Sequence, residues 1–143
     1  MIPDARGHLE DLLDREIELA RALATTLAEE KAALTGTSAQ AVEDKAAEKI
    51  RILEALEKLE KERTGMAVSP SLSGLGTAVM ERWRKLMELM AGCRTANEIN
   101  GHIIHVRQHQ IRQLLDIVRG GPSITYGPQG KTFANALRAI ARA

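Results

Sequence analysis

The sequence predicts an all-α protein, and three observations carry that prediction. Hydrophobic residues make up 44 % of the 143 residues but aromatic residues only 2 %, so the apolar content is Leu, Ile and Ala, which suits helices packed on helices. Apolar positions recur at three- and four-residue spacings along three long stretches, and no segment alternates with period two. The turn signals fall where helices would end. The expected architecture is an antiparallel hairpin of two helices with a third, long helix packed along it. This is an elongated, coiled-coil-like three-helix bundle with a flexible or loosely docked C-terminal tail. At 15.6 kDa the chain is read as one helical domain, residues 1–143.

The first helix, within 1–36, opens on Pro3 and Asp4, favourable in a first turn. Its stripe runs Leu9, Leu12/Leu13, Glu16, Ala20, Leu23, Leu27, Glu30, Leu34. Two glutamates stand where Leu is expected. Either they sit at the rim with their stems along the apolar surface, or they pair with Lys, Arg or Asn across the bundle and set its register. Gly36 ends the helix, and Thr37 or Ser38 can cap the next.

The second helix, within 37–64, carries Val42, Ala46, Lys49, Ile52/Leu53, Leu56 and Leu59, with Glu and Lys on its outer face. The short loop before it forces an antiparallel hairpin. Residues 65–76 are rich in Gly, Ser and Pro and read as a connector rather than a domain boundary. An antiparallel return of the third helix keeps that connection short.

The third helix spans 77–120. Its stripe runs Val79/Met80, Trp83, Leu86/Met87, Met90 and Cys93/Arg94 in unbroken phase into Asn97, which favours one helix. A break near 92–95 is the alternative, because Gly92 weakens the middle and Thr95 with Glu98 spells a capping box. Met80, Met87 and Met90 fit either gap-filling core or an adaptable partner surface. At 100° per residue Asn97, Asn100, Gly101, Ile104, Gln108, Ile111, Leu115 and Val118 share one face. Two asparagines and a glycine on a core stripe predict buried amides and a close helix contact at Gly101. A second strip, Ile99, Ile103, Val106, Leu114 and Ile117, lies about 100–160° further round. One helix with two apolar faces has more to bury than its own bundle covers.

Gly120-Gly121-Pro122 stops this helix. The tail, 121–143, holds a turn-rich segment with Tyr126 and a short amphipathic helix with Phe133, Leu137 and Ile140 on one side. At that length it needs an apolar surface beneath it, its own bundle or a partner.

Several classes of chemistry find no support in the residues. The formal charge is +1, with 20 basic and 19 acidic side chains interspersed, so no basic block grips a phosphate backbone and nucleic acid is not implied. No run reaches transmembrane length and the start is unlike a signal peptide, so the expected location is the cytoplasm without stable membrane insertion. His102, His105 and His109 share a solvated face, with no fourth metal ligand beside them. Cys93 has no base at a recognised spacing. Neither an enzyme nor a cofactor nor a metal is expected.

Glu16 and Glu30, Lys49 leading Ile52-Leu53 to Arg63, Trp83, Asn97-x-x-Asn100-Gly101 and Thr125-Tyr126-Gly127-x-x-Gly130 together resemble the FlgN-type flagellar export chaperones over nearly the whole chain. The resemblance implies a cytoplasmic chaperone of flagellar type III export. Such a protein binds C-terminal helical segments of the hook-filament junction (hook-associated) proteins, prevents premature assembly and delivers them to the export gate. It links the tyrosine at the Tyr126 position to docking at that gate. The second strip then becomes a groove for an amphipathic client helix, with Phe133, Leu137 and Ile140 competing for the same ground. The competing reading is a helical scaffold that homodimerises through that strip. The free chain is expected to be a monomer or weak dimer.

Overall fold

The computed structural model describes residues 2–66 and 76–120, the first three of these by backbone alone. Three helices follow in order: α1 (Ile2–Leu34), α2 (Ala39–Thr64) and α3 (Thr77–Val118). No strand occurs among the described residues. Most of the Gly/Ser/Pro connector and the whole 121–143 tail, with Tyr126, Phe133, Leu137 and Ile140, lie outside them.

The helix ends obey local chemistry. Between α1 and α2, Ser38 takes an extended backbone and its hydroxyl accepts from the Ala41 amide at 3.1 Å, capping α2. α3 runs unbroken through Gly92. The Thr95 hydroxyl, which could have opened a new helix, donates back to the Ala91 carbonyl at 3.2 Å, so no capping box forms. Gly120 stops α3 at φ +126°, a conformation that costs a residue with a Cβ.

The chain divides into two compact units, Met1–Asn97 and Glu98–Ala143. The first is a three-helix bundle. Glu16 pairs with Arg63 and Glu30 with Lys49, so α1 positions rise as α2 positions fall and the two helices are antiparallel. Asp14 pairs with Arg82, and the Cys93 thiol lies 3.5 Å from the Ala20 carbonyl, so α3 runs beside α1 in the same direction and against α2. Leu9, Leu13, Ile17, Val79 and Leu86 form one buried cluster, and Leu23, Leu27, Leu56 and Cys93 a second. Burying each such leucine contributes about 1.5–3 kcal/mol.

The two stripe glutamates are inside the bundle, at 3 % and 2 % exposure, and both pair across it rather than reaching out at the rim. Arg63 Nε donates to Glu16 Oε1 at 2.7 Å, and its guanidinium lies 4.9 Å from the centroid of the Trp83 ring. Lys49 Nζ donates to Glu30 Oε1 at 3.3 Å and to Asn97 Oδ1 at 3.2 Å. Each site therefore takes a carboxylate from α1, a cation from α2 and an electron-rich group from α3. Glu16 to Glu30, Lys49 to Arg63 and Trp83 to Asn97 are each 14 residues apart (30 − 16, 63 − 49, 97 − 83), two heptads on every helix. Repetition at that spacing keeps both devices on the inward stripe. A buried carboxylate tolerates only a register that brings its cation opposite, so the pair fixes how the helices slide past one another.

Candidate partner-binding surface

The second unit is described over Glu98–Gly120, the terminal half of α3. Ile99, Val106, Leu114 and Ile117 of the expected strip are exposed, Leu114 and Ile117 at 62 % and 67 %, while Ile103 is half-buried. One turn of arithmetic puts all five within an arc of about 80°. This helix thus presents a row of branched aliphatic side chains to solvent, the composition of a groove for another helix.

The first face departs from expectation. Asn100 is buried and Ile104 and Gln108 are half-buried, but Ile111, Leu115 and Val118 are exposed, Val118 at 82 %. Asn97, at the end of the first unit, is exposed while its side-chain oxygen still accepts from Lys49. Gly101 is exposed, and a Cβ added there meets nothing within 4 Å, so the close helix contact expected of it is corrected. A glycine on a stripe marks a close contact only where a second backbone lies against it, and none does here. From Ile111 onward both faces are exposed, and Ile117, Leu114, Val118, Ile111 and Leu115 together make a band about 160° wide.

Two further features belong to the first unit. Leu23, Leu27, Leu53, Met90 and Cys93 line a cleft of about 130 Å³, with Lys49, Arg94 and Asn97 at its rim. The sequence reading did not find this cleft. Its signal was the adjacent pair Ile52-Leu53, since neighbours on a helix point about 100° apart and both cannot face one core. Leu53 is 43 % exposed. The methionines divide: Met90 packs on both clusters, whereas Met87 is exposed. Burial pushes the Cys93 thiol above its ordinary range and holds it protonated, which suits a core residue rather than a nucleophile.

His102, His105 and His109 are all exposed, and His109 Nδ1 lies 2.8 Å from Arg112 Nη2, a donor that no metal ion would tolerate at that nitrogen. Among the described residues no group of three or more His, Cys, Asp or Glu side chains could hold a metal. Within the same residues no helix is long and apolar enough to cross a membrane.

A family model described as FlgN protein matches residues 1–133, nearly the whole chain. The chain belongs to the FlgN family. In general terms that makes it a flagellar export chaperone. Comparison with curated proteins and with solved structures gave no match. The family match runs through both buried charge sites, the apolar strip and Tyr126 and closes on Phe133, leaving Leu137 and Ile140 beyond it. Within the matched residues α3 exposes Ile99, Val106, Leu114 and Ile117 on one face and Ile111, Leu115 and Val118 on another.

Proposed function

We propose that this chain is a cytoplasmic chaperone of flagellar type III export whose client is the C-terminal helical segment of a hook-filament junction protein. The client helix docks on Ile99, Ile103, Val106, Leu114 and Ile117, is kept from assembling early, and is handed to the export gate through Tyr126. The observation that carries this reading is the exposure of that strip on a helix of a FlgN-family chain. Phe133, Leu137 and Ile140 compete for the strip when no client is present. No catalytic step is needed, because sequestration and delivery are binding events.

The test is a titration of a client C-terminal peptide into the parent chain and into Ile103→Glu with Val106→Glu. Two carboxylates in the groove should weaken binding by on the order of 100-fold while circular dichroism stays unchanged, since neither side chain is fully buried. Undiminished affinity in the double variant sinks the reading. A stable dimer that the double variant dissolves and the peptide does not displace would select the scaffold reading instead. Tyr126→Ala should bind the peptide as the parent does but fail to support secretion in cells.

A further inference from the structure

The near-zero formal charge hides a division. Before Glu98 the chain carries 14 Lys and Arg against 17 Asp and Glu, a balance of −3. From Glu98 onward it carries Arg107, Arg112, Arg119, Lys131, Arg138 and Arg142 against Glu98 and Asp116, a balance of +4 with three neutral histidines besides. The exposed apolar band and the positive charge occupy the same part of the chain.

Their placement round the helix is also uneven. With Ile99 at zero, the band runs from Val106 at about −20° to Leu115 at about 160°. Arg107 falls at about 80°, inside the band, and Arg119 and Arg112 at about 200° and 220°, along one edge. The other edge carries Gln113 and His102, at about −40° and −60°, while Asp116, at about −100°, lies at the back of the helix one turn from Arg112. One edge is cationic, the other is not, and a cation sits within the apolar face.

On this arrangement we infer that the surface takes an acidic amphipathic helix of a partner protein, its apolar face on the α3 band and its carboxylates against Arg107, Arg112 and Arg119. The inference rests on the binding role proposed above and adds the chemistry of the occupant. A second copy of this chain fits worse. The midpoint of the segment 98–118 falls beside Arg107, so a two-fold antiparallel pairing would set that guanidinium against its own copy. An anionic membrane also fits worse, because a helix lying in a bilayer interface keeps its cations on both flanks and out of the apolar face.

The full chain is titrated with two labelled synthetic peptides that share one leucine stripe, one with Glu at every flanking position and one with Lys. The Glu peptide should bind more tightly by on the order of tenfold in dilute buffer, with the difference fading near 0.5 M salt, where charges are screened over about 4 Å. In Arg112→Glu with Arg119→Glu the preference should reverse, with helicity unchanged. Equal binding of the two peptides, or preference for the Lys peptide, overturns the acidic occupant while leaving the strip as a docking site. Binding of neither peptide overturns both. Sedimentation with phosphatidylserine vesicles but not with the Glu peptide would assign the surface to lipid and likewise overturn the inference.

Discussion

Met1–Asn97 and Glu98–Gly120 are written in the same sequence idiom, apolar residues at three- and four-residue spacing with polar intrusions, yet they invert each other's burial. In the first, carboxylates are buried at stripe positions: Glu16 and Glu30 are shielded from water to the same degree as the buried leucines round them. In the second, aliphatic side chains stand in water: Leu114, Ile117 and Val118 are the most exposed large hydrophobic residues described. A charge in a stripe costs desolvation, and it is held here by a cation from a helix far along the chain. An apolar side chain outside a core forgoes its burial energy, and a contiguous band of them is the kind of surface that the proposed docking role uses. The first unit spends its polar groups on a unique register; the second keeps its apolar groups open.

The largest expected effect tests the first half of this contrast. Arg63→Met strands Glu16 in the core without its cation and removes the stacking on Trp83, so urea unfolding should show a loss of about 3–5 kcal/mol. Adding Glu16→Met to the same chain should recover most of that loss, since an apolar pair of similar volume needs no desolvation. Fixed register, however, would then depend on the Glu30–Lys49 site alone. A cost for Arg63→Met below about 1 kcal/mol would show that the site is open to water and that its burial means little.

The contrast itself is read by one substitution made twice. Leu27 is 1 % exposed and belongs to the second core cluster; Leu114 is 62 % exposed. Leu27→Ala should cost about 2–5 kcal/mol, from lost burial and the cavity left behind. Leu114→Ala should stay within about 0.5 kcal/mol of the parent. Its effect belongs in client-peptide affinity instead. Comparable losses of stability at both sites would mean that the terminal half of α3 is covered in solution, and the docking surface would have to be sought elsewhere.

Much of this was legible in the residues. Periodicity located all three helices, Ser38 is among the caps it allowed, and the strip from Ile99 to Ile117 was read as surplus to the bundle. What periodicity gives is the direction a side chain points. It does not give what stands opposite. Glu16 lies 47 positions from Arg63, so whether it paired or sat at the rim was undecidable from its own stripe. The same gap applies to Ile111, Leu115 and Val118, which continue the stripe yet are exposed. Gly101 misled for a related reason: a glycine on a stripe marks a close contact only when a second backbone is there, and otherwise it is merely a weak helix former. The 14-residue recurrence of Glu, cation and α3 partner was in the sequence throughout, but only the pairing shows that the three series belong together.

The smallest effect sharpens the comparison most finely, because two glycines sit nine residues apart on one helix, one in each unit. Gly92 and Gly101 are both exposed, both in α3, and a Cβ at either meets nothing within 4 Å. Replacing each by Ala should therefore add only helix propensity, about 0.5–1 kcal/mol in favour of the helical state. Where that gain appears should differ. Gly92 is flanked by Met90 and Cys93, which pack in the core, so its stretch of α3 unfolds with the bundle and the gain should raise the urea midpoint. Gly101 stands in the half of α3 whose apolar side chains are largely exposed, which should open locally at a free energy below that of global unfolding. Its gain should appear as slower amide hydrogen exchange over residues 98–110, with little change in the urea midpoint. Equal shifts in the midpoint for the two variants would show that α3 melts as one cooperative unit to its end. A fall in stability on Gly101→Ala would restore the close helix contact that the sequence suggested.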